Sequence, residues 1–203
     1  MMGAMILAML ALLVSMQQPQ LRAGEVLVRL ETSLGVIDIA VDTARAPVTA
    51  ANFLKYVDGG FYAGGRFHRA THAGNYTPQL PNRPLLEVVQ AGINPDKRAQ
   101  AFAAIALERT SVTGLKHVTG VVSMARGAAD SATSDFFICL NDQPSLDFGG
   151  MRFDDGQGAA AFGRVVRGLD VARKIQQQPV EAQRLTPPVP ILSASRVAAT
   201  PRF

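Results

Sequence analysis

The chain has 203 residues, of which 48% are hydrophobic and 18% charged, a composition that predicts one globular domain with a core of ordinary size. Its net charge of +4 comes from basic and acidic residues scattered along the chain, and aromatic residues make up only 6%. This pattern argues against nucleic acid as a partner. The single cysteine, Cys139, excludes an internal disulfide and lies in an apolar run that is typical of a small buried side chain.

The N-terminal 16 residues are almost wholly apolar and are followed by polar residues and a proline. This run is short for a bilayer span and fits the apolar part of a secretory signal. We therefore expect residues 1–23 to be a signal peptide or an uncleaved N-terminal anchor, the only contact with a membrane that we expect. A buried N-terminal helix is the alternative, but no amphipathic pattern supports it. The protein is then periplasmic or secreted, with a folded domain over 24–198 and a C-terminal tail over 199–203.

The remaining chain consists mainly of short strands. Runs rich in β-branched and aromatic residues, bounded by turn residues, predict eight strands. The predicted strands are 25–31, 35–41, 66–70, 86–90, 120–125, 136–140, 160–166 and 191–197. A helix is predicted over 47–58 from apolar residues at i, i+3, i+4 and i+7, and a second begins at Gly168 and ends before Pro179.

Several stretches lack a predicted element: 93–119, the proline-containing loop after Arg69, the glycine-rich stretch 148–158 and a proline-rich linker over 187–190. Strands rarely alternate with helices, which excludes a doubly wound sheet. The fold class is therefore mainly β, a closed eight-stranded antiparallel barrel capped by two α-helices, because closure removes exposed strand edges.

Residues 56–69 combine a helix end, two Gly-Gly turns and a strand that carries Arg69. Because side chains alternate along a strand, Phe67 and Arg69 are predicted to share one face while His68 faces the other way. A guanidinium beside a phenyl ring is unfavourable unless a polar group meets it. An edge strand with Arg69 in water is the alternative interpretation.

Most other chemistries lack a motif in this chain. The three histidines, His68, His72 and His117, show neither an HExxH pattern nor clustered cysteines, so no metal site is expected. No glycine-rich phosphate loop follows a strand and opens a helix, so no nucleotide cofactor is expected either. A Ser/His/Asp site stays open, although no Gly-x-Ser-x-Gly elbow exists.

Five blocks, in order, resemble the cyclophilin family of peptidyl-prolyl cis-trans isomerases: GGFYAGGRFHR, VVQAG, KHVTGVVSMAR, SATSDFFICL and AAFGRVVRGLDVARKI. The resemblance covers 26–197 and implies isomerisation of X-Pro bonds in proline-containing polypeptides, without a cofactor. It assigns the catalytic arginine to Arg69. It assigns substrate binding to Gln90, Phe137, Leu146, Ala125, Arg126 and Val88.

Within that assignment, Gln90 holds the substrate backbone, Phe137 forms the floor of the proline pocket and Leu146 one of its walls. Ala125 and Arg126 act through their main chain. The chain departs from the family pattern at Glu87, Val88, Asp135, Ser145 and Ala159, and it carries an insertion over 71–85 that would lie beside the substrate groove.

These departures keep two other function classes open. One is a chaperone that binds proline-containing segments through a cyclophilin-like barrel with little turnover. The other is a structural envelope protein that reuses the barrel. The expected activity is prolyl isomerisation of exported proteins by a monomer.

Overall fold

In the computed structural model, residues 20–75 and 84–198 are described. The apolar run 1–16, part of the predicted insertion and the tail 199–203 lie outside the described residues. The described part contains nine strands and three helices. The strands are β1 (Glu25–Thr32), β2 (Gly35–Asp42), β3 (Arg66–Thr71), β4 (Val88–Gly92), β5 (Val121–Met124), β6 (Phe136–Cys139), β7 (Ala160–Arg167), β8 (Val180–Glu181) and β9 (Arg184–Arg196). The helices are α1 (Pro47–Asp58), the single turn α2 (Thr110–Thr113) and α3 (Leu169–Gln176).

The sheet closes on itself. Its strand order is β1-β2-β7-β5-β6-β4-β3-β9, and β9 pairs again with β1. Every pairing is antiparallel. The predicted eight-stranded barrel is confirmed, with one extra strand, β8, that pairs only with β9 among the described strands.

Aromatic and aliphatic side chains fill the barrel. Phe53 of α1 contacts the rings of Tyr62, Phe136 and Phe162, with centroids 4.9–5.4 Å apart. Helix α3 buries Val171 and Ile175, as its i, i+4 spacing predicts. Among the described residues, no helix has the length and apolar character needed to cross a membrane.

Two predicted elements have different limits in the structure. The predicted linker 187–190 is part of β9. Pro187 and Pro188 lie where the pairing of β9 with β3 shifts register, so their missing N–H groups are tolerated. Strand β4 is Val88–Gly92 rather than 86–90. A Cβ at Gly92 would lie 2.5 Å from Asp135 Oδ1, so a larger residue there would displace the Asp135 carboxylate. The stretch without a predicted element contains α2 and a 3₁₀ helix, Pro95–Gln100.

Candidate active site

A β-bulge in β3 determines the direction of Arg69. Phe67 pairs with Ala91 and Arg69 pairs with the next residue, Gln90, so His68 is an extra residue in the ladder. Phe67 and Ala70 are buried in the barrel core, whereas Arg69 lies half-buried on the outer face. The predicted alternation was therefore wrong: Phe67 and Arg69 lie on opposite faces.

Three candidate residues form a row across neighbouring strands of this outer face. Arg69 of β3 is opposite Gln90 of β4, and Gln90 is opposite Phe137 of β6. Directly opposed residues of antiparallel strands project from the same face. With strands about 4.8 Å apart, the backbones of Arg69 and Phe137 are roughly 10 Å apart, within reach of one bound dipeptide unit and the two side chains.

Arg69 is held by two glutamines. Its Nη1 donates to Gln90 Oε1 (3.2 Å), while Nε and Nη2 both donate to Gln183 Oε1 (3.0 and 2.7 Å). A guanidinium has five N–H donors. The two remaining N–H groups of Arg69 donate to no described residue. Their direction is fixed because the other three hold the guanidinium in place.

The sequence analysis missed Gln183. It lies in the turn between β8 and β9, 114 positions after Arg69. No local pattern marks it, because its role depends on the pairing of β3 with β9, which brings Arg69 opposite Arg184.

Electrostatics around Arg69 are unusual for an arginine. Burial lowers its pKa, and the nearby positive charge of Arg152 lowers the pKa further. Arginine nevertheless stays protonated in proteins because its ordinary pKa lies far above physiological pH. Arg69 is thus a permanent donor in a partly desolvated position, where its hydrogen bonds are stronger than in water.

Next to this row lies a second cluster of buried apolar side chains, separate from the barrel core. We call it the apolar pocket, because the resemblance assigns the proline pocket to its residues. It contains Phe137 (6% exposed), Leu146 (2%) and Val88 (1%), brought together by β4, β6 and the 3₁₀ turn Pro144–Leu146. Its other members are Leu86, Cys139 and Ala159, with Ala125 and Phe153 packed against them. Three of the sequence-predicted binding residues, Val88, Phe137 and Leu146, are therefore core members of one cluster.

The floor of the apolar pocket is supported by a buried polar chain. The His117 ring stacks on Phe137 (centroids 6.2 Å apart, 17° between planes). Its Nδ1 lies 2.8 Å from Asp147 Oδ1, and its Nε2 lies 3.0 Å from Ser123 Oγ. Burial alone would raise the pKa of Asp147, but hydrogen bonds from the His117 ring and backbone lower it overall.

Ser123, His117 and Asp147 are hydrogen-bonded in the same order as the residues of a Ser/His/Asp catalytic triad, a possibility that the sequence analysis did not exclude. However, the Ser123 side chain is 0% exposed and His117 is 1% exposed. A nucleophile must reach its substrate, and Phe137 lies opposite Ser123 in the ladder. The arrangement therefore positions Phe137 and, through Asp147, the adjacent Leu146.

Arg126 does not direct its side chain toward Arg69. Its guanidinium forms a bidentate pair with Asp155 (both 2.8 Å), and its Nε donates to the Gly158 carbonyl (2.7 Å). The guanidinium carbon lies 3.7 Å from the centroid of Phe153. Arg126 thus ties the glycine-rich loop to the end of β5 and holds Phe153 against the apolar pocket. The N–H of neighbouring Ala125 donates to the Asp135 carbonyl (2.8 Å).

A family model described as "Cyclophilin type peptidyl-prolyl cis-trans isomerase/CLD" matches residues 27–196. The chain belongs to this family. It is a cyclophilin-type peptidyl-prolyl cis-trans isomerase.

Known cyclophilins support this assignment. The chain is 39% identical over 155 residues to the peptidyl-prolyl cis-trans isomerase A of Dickeya dadantii (strain 3937), which covers 76% of this chain and 73% of the relative. Its fold is similar to the crystal structure of a Cryptosporidium parvum cyclophilin (TM-score 0.68, 18% identity, covering 87% of this chain and 99% of the other). A second structure of that protein, in the presence of the dipeptide Ala-Pro, has a TM-score of 0.66 at 18% identity, covering 85% of this chain and 99% of the other.

The departures from the cyclophilin pattern have specific surroundings here. Val88 is a buried member of the apolar pocket, and the ring of Phe153 packs against the same cluster. Asp135 lies 3.6 Å from His68 Nε2, a pairing within ion-pair distance when the imidazole is protonated. Among residues 20–75 and 84–198, no group of three or more His, Cys, Asp or Glu is arranged to hold a metal ion.

Proposed function

We propose that this cyclophilin isomerises X-Pro bonds in exported polypeptides and that Arg69 is its catalytic residue. Twisting an X-Pro amide removes the double-bond character of its C–N bond, with a barrier of about 18–20 kcal/mol. To bring an exchange time of about 100 s to a rate of about 10³ s⁻¹, a catalyst must remove roughly 7 kcal/mol. No covalent intermediate is required.

Arg69 can contribute through its two uncommitted N–H groups. As the amide twists, the prolyl nitrogen becomes pyramidal and gains a lone pair that a cation can bind. A donor that serves the twisted amide better than the planar one lowers the barrier. Because Gln90 and Gln183 already hold the guanidinium, little reorganisation is needed when the lone pair forms.

The apolar pocket binds the prolyl ring, in this proposal. Phe137 forms its floor, Leu146 and Val88 its walls, and Gln90 binds the substrate backbone between this pocket and Arg69. The amide nitrogen of Gln90 donates to no described residue, so it is available to a substrate carbonyl. Ala125 and Arg126 would pair with the peptide through their main chain.

The observation that carries the proposal is the register Arg69–Gln90–Phe137 across three adjacent strands. It places a fixed cation one strand away from an apolar pocket. A substrate proline needs both elements within the reach of one dipeptide unit and the two side chains.

The test is a cis-to-trans exchange assay on a short Ala-Pro peptide with wild type, Arg69→Ala and Arg69→Lys. Losing one preorganised donor typically lowers turnover by ~10²–10³, so Arg69→Ala is expected to lose at least a hundredfold in kcat/KM. Arg69→Lys keeps a charge without the planar fork and is expected to stay far below wild type.

Arg173→Ala, on the exposed face of α3, is the matched control and should behave as wild type. Wild-type exchange at the uncatalysed rate would refute the isomerase proposal for this chain. An Arg69→Ala enzyme within threefold of wild type would refute the role of Arg69.

The export context rests on the apolar run 1–16. If residues 1–23 are a cleaved signal, the protein recovered from an envelope fraction will lack them by intact mass. A full-length mass in the membrane fraction would instead support the uncleaved anchor. Full-length protein in the cytoplasmic fraction would contradict both.

A further inference from the structure

A groove of about 610 Å³ lies beside Arg69, on the side away from the apolar pocket. We call it the basic groove. It covers β3, β9 and the β8–β9 turn, whereas Phe137 lies on β6, beyond β4. Its charged lining residues are Arg66, Arg69, Arg98, Arg184 and Glu181.

Four arginines therefore face one glutamate in the basic groove. Arg69 and Arg184 are directly opposed across β3 and β9, an arrangement that is unfavourable for like charges. His68 also lines the groove and faces Asp135. An anionic group from outside would relieve this accumulation of positive charge.

Five arginines elsewhere in the described chain are paired with carboxylates. The pairs are Arg29–Asp38, Arg45–Asp42, Arg164–Glu25, Arg167–Asp38 and Arg196–Asp58. In contrast, the guanidinium groups of Arg66, Arg98 and Arg184 are exposed and make no hydrogen bond or ion pair with any described residue. Three exposed arginine side chains without a partner among the described residues thus surround one groove, which adjoins the candidate active site.

We propose that the basic groove is a specificity subsite for an acidic side chain, Asp or Glu, of the substrate polypeptide. This inference rests on the proposed function, because it requires the proline to lie at Phe137. Guanidinium groups bind carboxylates through two parallel hydrogen bonds, which gives direction as well as attraction.

Strand spacing predicts where the acidic residue lies in the peptide. From β6 to β9 are three strand intervals of about 4.8 Å, or roughly 14 Å, and an extended chain advances about 3.3 Å per residue. The arginine side chains shorten this distance. The carboxylate is therefore expected about two to four residues from the proline.

The test is a positional scan in alanine-based peptides with one central Ala-Pro. Glu is placed at each position from four before to four after the proline, and Gln at the same position is the neutral isostere. At one or two adjacent positions, Glu should raise kcat/KM over Gln by about fivefold, the effect expected when several exposed arginines meet one carboxylate. The dissociation constant is measured in parallel.

Variants separate this subsite from general charge attraction. Arg98→Gln and Arg184→Gln should reduce the Glu-to-Gln ratio toward one, and their thermal melts report whether they fold. Arg173→Gln removes the same charge outside the groove and should keep the ratio.

The inference is wrong if no position favours Glu, or if Arg173→Gln lowers the ratio as much as Arg98→Gln. It is also wrong if the protein binds a DNA oligonucleotide in a salt-dependent manner while Glu and Gln peptides have the same kcat/KM at every position. If no peptide is turned over, the proposed function fails, and the binding scan still decides whether the groove prefers Glu.

Discussion

The apolar pocket and the basic groove lie on opposite sides of Arg69 and differ in how they are built. The apolar pocket is buried, with Phe137 6% and Leu146 2% exposed, and a buried polar chain supports its floor. The basic groove is open, and its Arg98 and Arg184 are exposed without partners among the described residues.

This difference teaches how binding and selectivity can be divided between two surfaces. Burial of a prolyl ring removes apolar area from water, an effect that depends little on salt. Exposed charges contribute little to stability and are screened by ions. Changes to the pocket should therefore alter folding and turnover together, whereas changes to the exposed arginines of the groove, Arg98 and Arg184, should alter only the choice of substrate.

The largest expected effect among the following variants is that of Phe137→Ala. Truncating a buried phenylalanine should lower the free energy of unfolding by about 3 kcal/mol, because the cavity is only partly filled by relaxation. KM should rise as well, since the floor under the prolyl ring is lost. Urea denaturation and exchange kinetics measure the two effects.

Phe148→Ala is the matched control, because Phe148 is 45% exposed on the neighbouring loop. It should change the free energy of unfolding by less than about 0.5 kcal/mol. A folded Phe137→Ala protein with wild-type KM would show that the pocket does not bind the proline.

Gln183→Ala should have the next largest effect, because Gln183 both lines the basic groove and holds Arg69. Without it, Arg69 loses two of its three hydrogen bonds and its preorganisation. We expect kcat to fall roughly tenfold with little change in KM, since misplacing a catalytic group lowers turnover more than binding.

Gln178→Ala on the protein surface, where the amide donates to the Lys174 carbonyl, is the control. Equal losses in both variants, or a change confined to KM, would contradict a positioning role for Gln183.

Salt should affect the two surfaces differently. When the ionic strength rises from about 0.05 to 0.5 M, the Debye length falls well below the size of the groove. The Glu-to-Gln ratio of kcat/KM should fall from about fivefold to below about twofold. The rate on the Gln peptide, which depends on the apolar pocket, should stay nearly constant. Parallel decline of both peptides would remove the distinction between the two regions.

The smallest effect concerns His68. Burial lowers its pKa below the usual 6.5, and Arg98 and Arg69 lower it further, while Asp135 and a backbone hydrogen bond oppose them. The unfolded chain therefore binds the proton first, so stability is full above about pH 6.5 and declines as the pH falls toward the folded-state pKa.

We expect that the free energy of unfolding of His68→Gln depends less on pH than that of wild type between about pH 7.5 and 5. His72→Gln, outside the groove lining, is the matched control. If the free energy of unfolding of His68→Gln changes with pH as much as that of wild type, other groups cause the pH dependence.

Local patterns anticipated much of the fold. The β1–β2 hairpin, α1, α3 and the strand order along the chain follow from periodicity and turn residues, and the closed barrel follows from the number of strands. The bulge at His68 could not be predicted, because an extra residue in one strand is defined only by its partner strand. The prolines at 187–190 were predicted to form a linker for the same reason: their place in β9 is defined only by the pairing with β3.

The sequence by itself determined the family and the barrel, and it predicted Arg69, Gln90, Phe137, Leu146 and Val88 as site residues, because these lie in motifs that are contiguous along the chain. Tertiary structure alone decided that Gln183 anchors Arg69, that Phe153 joins the apolar pocket and that unpaired arginines surround one groove. Each of these depends on contacts between positions far apart in the chain. Barrel closure brings such positions together, and no local pattern records it.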